Sequence, residues 1–223
     1  RLSQRIQGYD EVVVIAHSFG GAMIADLAAA GDLPERARIL LLAPALDIVQ
    51  NTGKTALELK AFRLWASYCD FVEIGCKVPN PVGVDASGVA DVYAQNIFFT
   101  IVPDAVLRLF AYADAVTPRV GGLQRPVDIV MAKDDGEVSF AGTEALCASL
   151  SSCRLYAFET GGHLLQFGAN GAALRALFLR LADDPAADCE DLPCTASAPA
   201  RAGRPASPAR HARAAIEETS PWH

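Results

Sequence analysis

Residues 12–30 read VVVIAHSFGGAMIADLAAA, an apolar run that stops at Ala16 and resumes at helical spacing after His17-Ser18-Phe19-Gly20-Gly21. The β-branched, nearly uninterrupted segment Val12 to Ala16 predicts a strand buried on both faces of a parallel sheet. Gly20 to Ala30 predicts an Ala-rich helix ended by Gly31-Asp32. A strand that feeds a helix through so sharp a turn strains the backbone of its middle residue, Ser18. It needs small residues two positions either side, here Ala16 and Gly20. Such a turn exposes the serine hydroxyl above the sheet edge. It also sets the next backbone N–H, that of Phe19, at a helix N-terminus, where an oxyanion can bind.

Three further runs predict buried strands: Arg38 to Ala43 (RILLLA), stopped by Pro44, then Pro126 to Ala132 (PVDIVMA) and Arg154 to Phe158 (RLYAF). Helical patterns lie at Ala141 to Leu150 and Ala172 to Leu181. This alternation predicts an α/β fold with a mostly parallel sheet, right-handed crossovers and helices on both faces. Residues 47–122 break the rhythm, and an insertion of that length between two strands predicts a cap or lid. Its apolar stripes, Leu57, Leu59, Phe62, Trp65, Tyr68 and Phe71, then Phe98, Phe99, Ile101 and Val102, then Leu107, Leu109, Phe110 and Tyr112, read mostly as the cap's own core. The organisation is then core over 1–46, cap over 47–122, core over 123–182 and a tail over 183–223. The tail is acidic and then Pro/Ala/Arg/Ser-rich without hydrophobic period, so it reads as disordered.

At 223 residues, 52% hydrophobic and 20% charged, the chain has room for a sizeable core and is not disordered throughout. The formal charge of -7, without a basic cluster, argues against a nucleic-acid surface. No apolar run reaches the roughly 18 residues a membrane-spanning helix needs. The chain opens with Arg1 directly before a core strand and shows no signal peptide, so it reads as the C-terminal part of a longer protein. Six cysteines fall in three close pairs, Cys69 with Cys76, Cys147 with Cys153 and Cys189 with Cys194. Short-loop pairs of this kind suggest disulfides and a secreted or periplasmic location. None has C-x-x-C spacing, and there is no H-E-x-x-H, P-loop or G-x-G-x-x-G, so neither a metal nor another cofactor is expected.

A serine nucleophile needs a base, and the base needs a carboxylate to orient it. Of four histidines, His211 and His223 lie in the tail, and the sharp turn would direct His17 away from the hydroxyl. His163, in ETGGHLLQF after the last strand, remains. Asp134 and Asp135 both follow the strand ending at Ala132, at the carboxyl end where sites gather in open α/β sheets.

With AHSFGG, ILLLAPAL, LQRPVDIVMAKDDGEV and GGH in the order Ser, Asp, His, the chain resembles the C-terminal two-thirds of an α/β-hydrolase, similar to the monoglyceride lipase and carboxylesterase branch. Ala16 departs from the first glycine of that family's G-x-S-x-G. The family's G-x-x-D-x-x-V pattern, laid on residues 132–138, points to Asp135 as the acid, with Asp134 the fallback and Asp47 a weaker third choice. The resemblance implies a serine esterase or lipase acting on a small-molecule or lipid ester with an apolar acyl group. It also implies that the early strands, and a second oxyanion donor, precede residue 1. Thioesterase, acyltransferase or aminopeptidase chemistry would use the same residues, and a non-catalytic binding protein would need none of them. The serine excludes relatives that require aspartate at that turn.

Overall fold

This computed structural model describes residues 8–48 and 103–197, with residues 60, 61, 64, 65, 68, 78, 79, 100 and 101 between them. The first strand, β1 (Val12–His17), runs without a loop into helix α1 (Ser18–Ala29). The helix stops as its sequence predicts. Gly31 takes φ +79° and donates to the Ala28 carbonyl at 3.1 Å, and Asp32 donates to Leu27 at 2.8 Å. These two bonds form the Schellman pattern that a glycine at this position permits. β2 (Ala37–Leu42) follows, then a two-residue antiparallel pair, β3 (Val78–Pro79) with β4 (Thr100–Ile101). Helix α2 (Pro103–Val120), β5 (Val127–Ala132), α3 (Phe140–Ser149), β6 (Cys153–Phe158), α4 (Gly171–Asp183) and β7 (Cys194–Ala196) complete the described order.

The main sheet has the order β1-β2-β5-β6-β7. Its first four strands are parallel, with Val12 opposite Ala37, Ile39 opposite Val127 and Val127 opposite Cys153, and only β7 runs antiparallel. Alternate side chains serve two separate cores. Ile39, Leu41, Ile129, Met131 and Leu155 pack with Ala22 and Ala25 of α1, Phe110, Ala113 and Val116 of α2 and Cys147 of α3. Leu40, Leu42, Val130, Tyr156 and Phe158 pack with Leu174, Leu177 and Leu181 of α4. Covered on both faces, the inner strands are charged only at their second positions, Arg38, Asp128 and Arg154, which is why their runs read without alternation. Arg125, just before β5, donates to the carbonyls of Leu33 at 3.0 Å, Pro34 at 2.9 Å and Glu35 at 3.1 Å, and to Ala37, tying the α1–β2 loop down. Among the described residues no helix is long and apolar enough to cross a membrane.

Three expectations change. β1 is not fully buried: Ile15 remains 51% exposed, because β1 pairs on one side only among the described residues. The insertion assigned to residues 47–122 ends earlier, because α2 belongs to the main core. Phe110, Ala113, Val116 and Val120 are buried against the sheet face and α1, while Leu109 and Tyr112 pack beside them. Tyr112 Oη and Arg119 Nε both donate to the Asp26 carboxylate, at 3.1 and 2.8 Å, clamping α2 to α1. The tail assigned to disorder from residue 183 starts as structure. A disulfide between Cys189 and Cys194, Cα atoms 5.6 Å apart, turns the chain so that β7 covers the edge of β6. The remaining tail, including His211 and His223, lies outside the described residues, as do Leu57, Leu59, Phe62, Phe71, Phe98, Phe99, Val102 and the pair Cys69 and Cys76. The second described disulfide, Cys147 to Cys153, joins α3 to the start of β6.

Candidate active site

His17 ends β1 in extended geometry, φ -109° and ψ 144°, and Ser18, the first residue of α1, takes φ +52°. A residue with a side chain rarely adopts that left-handed conformation, and the chain passes from strand to helix within it. The Ser18 carbonyl accepts the Ala45 N–H at 3.0 Å, fastening the turn to the end of β2. The steric demand falls on Gly21 rather than on Gly20. A Cβ on Gly21 would lie 3.0 Å from Pro44 Cβ and 3.3 Å from the Ala16 carbonyl, whereas one on Gly20 would meet nothing within 4 Å. The difference is one of direction, since Gly21 is buried while Gly20 is exposed.

Asp135 lies in the turn after β5, 8% exposed, and both its oxygens are used. Oδ1 accepts the N–H groups of Glu137 and Val138 at 2.8 and 2.9 Å, and Oδ2 lies 2.9 Å from His163 Nδ1. His163, 6% exposed, follows β6 on a loop that Gly161 (φ +135°) and Gly162 (φ +61°) allow to bend back over the sheet. A Cβ on Gly161 would come within 2.3 Å of the Leu165 side chain. His163 Nε2 lies 2.8 Å from Ser18 Oγ. The carboxylate accepts from Nδ1–H, so Nε2 is left to accept the serine proton. The Phe19 N–H sits in the first turn of α1, where backbone donors have no partner within the helix. Phe19 itself is 38% exposed and meets the Tyr112 ring edge-on, with centroids 5.1 Å apart.

The other two carboxylates have different places. Asp134 accepts the Gly162 and Gly161 N–H groups at 2.8 and 3.2 Å and so braces the loop that carries His163. Asp47 lies across the first turn of α3, where a Cβ on Gly142 would overlap its carboxylate. Its carbonyl accepts the Ser139 N–H at 2.7 Å. The side chain of His17 has its own hydrogen-bond partner, not Ser18 Oγ. Its Nε2–H donates instead to the His163 carbonyl at 3.0 Å, and the two imidazole centroids are 4.9 Å apart. Burial holds the His17 pKa below its ordinary value. Sequence reasoning missed this contact, and its only signal was a polar residue at the end of an apolar strand.

No protein-family model matches the chain, and no curated protein matches it by sequence. Solved structures do. The chain superposes on monoacylglycerol lipase from Paleococcus ferrophilus with TM-score 0.59 at 14% identity, covering 80% of this chain and 71% of that one. For α/β-hydrolase domain-containing protein 10 from mouse the TM-score is 0.53 at 15% identity, covering 83% and 67%. This is an α/β-hydrolase fold. A soluble variant of monoglyceride lipase from Saccharomyces cerevisiae also shares the α/β-hydrolase fold, with TM-score 0.54 and 12% identity over 81% of this chain and 63% of its own. Within an α/β-hydrolase fold, a serine at a strand-to-helix turn, an acid after a later strand and a histidine after the next one occupy the sheet's carboxyl edge together.

Proposed function

We propose that the chain is a serine hydrolase that cleaves carboxylic esters with an apolar acyl group, using Ser18, His163 and Asp135. The observation that carries this reading is the unbroken chain from Ser18 Oγ through His163 to the buried Asp135, with contacts of 2.8 and 2.9 Å. His163 Nε2 takes the hydroxyl proton as Oγ attacks the ester carbonyl. Asp135 holds the ring in the required tautomer and stabilises the imidazolium. The tetrahedral oxyanion faces the Phe19 N–H at the positive end of α1. Collapse breaks the bond to the leaving alkoxide, which takes the proton from His163. Water, deprotonated by the same imidazole, then releases the acid from the acyl-enzyme. The exposed apolar side chains of Phe19 and Met23 on the nucleophile's own helix favour an apolar acyl group. The disulfides at Cys147–Cys153 and Cys189–Cys194 favour an oxidising compartment, secreted or periplasmic.

The test is labelling of Ser18 by a fluorophosphonate probe, together with p-nitrophenyl esters of rising chain length. Labelling that disappears in Ser18→Ala, and turnover that rises with acyl length, supports the reading. Folded protein that neither labels nor turns over any ester overturns it. Labelling with thioester or amide turnover alone would keep the nucleophile and change the substrate class.

A further inference from the structure

His17 is a polar side chain at the site that the reaction steps above leave unused. It ends β1 directly before Ser18, yet its ring extends beneath the neighbouring loop to the backbone of His163, 146 residues away in sequence. A carbonyl oxygen can only accept, so the 3.0 Å contact requires a proton on His17 Nε2. The ring also lies against the His163 imidazole, tilted by 43° with centroids 4.9 Å apart. The His163 loop contains two glycines in succession, both at positive φ, where no side chain helps to hold the backbone. Asn170 Nδ2 donates to the Thr160 carbonyl at 2.6 Å, and two further groups restrain the stretch around His163. Asp134 holds the amides of Gly161 and Gly162 from the β5 side, and His17 holds the carbonyl of His163 from the β1 side.

We propose that His17 is a positioning residue: its Nε2–H fixes the His163 backbone so that the imidazole stays within reach of both Ser18 Oγ and Asp135. This rests on the reading of Ser18 as nucleophile and goes beyond it, because it assigns a second histidine a role without proton transfer. The residue that carries the strained turn thereby also carries the base's support. Nucleophile and base, from opposite ends of the chain, are referenced to one peptide unit, His17-Ser18. The lowered pKa of His17 fits this role, since a neutral ring adds no positive charge beside the imidazolium that forms at His163.

The experiment compares His17→Gln, whose amide nitrogen reaches about as far as Nε2 and can donate, with His17→Glu, the same shape without a donor when ionised, and with His17→Phe. Two readouts are taken at neutral pH: the rate of fluorophosphonate labelling at Ser18, and the downfield proton resonance of His163 Nδ1–H in its bond to Asp135. His17→Glu and His17→Phe should lower labelling by about tenfold or more and shift or broaden the resonance, while His17→Gln restores most of both. With an ester substrate the loss should appear in kcat with KM little changed. Equal behaviour of Gln and Glu, or wild-type behaviour of Phe, overturns the proposal. Should Phe fail to fold, as judged by thermal melting, the isosteric Gln and Glu pair decides alone. If the wild-type protein does not label at all, the proposed reaction fails, and the resonance still judges the role of His17.

Discussion

Asp135 and His163 follow β5 and β6, strands that are each hydrogen-bonded on both flanks, whereas Ser18 follows β1, which pairs only with β2 among the described residues. Asp135 and His163 are 8% and 6% exposed, while Ile15, three residues before Ser18, is 51% exposed. Each Asp135 oxygen has a partner, and the base's loop is held from two sides. On the serine side, order depends on local backbone geometry and on two anchors at the end of β2, the Ala45 amide and the Pro44 ring. The Asp135–His163 half is held by the sheet, and the Ser18 half by a strained turn and those two anchors. Preorganisation of this kind places reacting groups before substrate arrives, and small misplacements are costly.

The sharpest way to break that comparison is to exchange the two adjacent aspartates. Asp135→Asn should lower kcat by about 10⁴-fold, the magnitude typical of losing the carboxylate that orients a catalytic imidazole. Asp134→Asn, which removes an exposed brace and leaves the acid untouched, should cost about tenfold or less. Steady-state rates with a short-chain ester measure both, and equal losses would undo the division of labour. Next come the glycines of the turn. Gly21→Ala should destabilise by about 1–3 kcal/mol, since its Cβ would press on Pro44. Gly20→Ala, on an open helical surface, should be neutral or stabilise by up to about 1 kcal/mol. Urea midpoints of the two variants test this, and the reverse order would return the steric demand to Gly20.

An effect of similar size is expected on the far edge. Replacing Cys189 and Cys194 by serine should cost about 2–3 kcal/mol, the entropy scale for so short a loop. Hydrogen exchange should accelerate at the Leu155 amide, which donates to Ser197 Oγ at 2.9 Å. Exchange at the Val138 amide should change little if the acid's turn is independent of that edge. The smallest effect concerns pH. Burial keeps folded His17 below the ordinary imidazole value, so the unfolded chain binds its proton first as pH falls. That stability is complete above about pH 6.5 and is lost as pH drops toward the folded value. His17→Gln should therefore lose less stability than wild type between pH 7 and pH 5, as read from urea midpoints at each pH.

The inner strands were legible because buried parallel strands are apolar almost throughout, and Ser18, Asp135 and His163 stood out because strand ends are where this layout concentrates polar groups. Helix α2, which contains Pro118, was not, because its apolar stripe was ascribed to the insertion. The structure keeps that proline in the final turn, and Thr117 Oγ1 bonds to the Ala113 carbonyl at 2.9 Å just before it. Strand β7 has only three residues in a Pro-rich acidic stretch. It exists through pairing with β6 and a disulfide, neither of which local propensity encodes. The bond from His17 to the His163 carbonyl was hidden for a similar reason, since residues so distant in sequence leave no periodic trace.

The point at which the chain leaves the core after β2 bears on how such a protein could be re-engineered. Ile48 bridges Val138, Asp47 accepts from Ser139, and the Val138 amide in turn holds Asp135. Any graft that replaces the segment before α2 should keep Asp47 and Ile48 with the recipient and rejoin at Pro103. A cut made two residues earlier would remove the lateral support of the turn that seats Asp135.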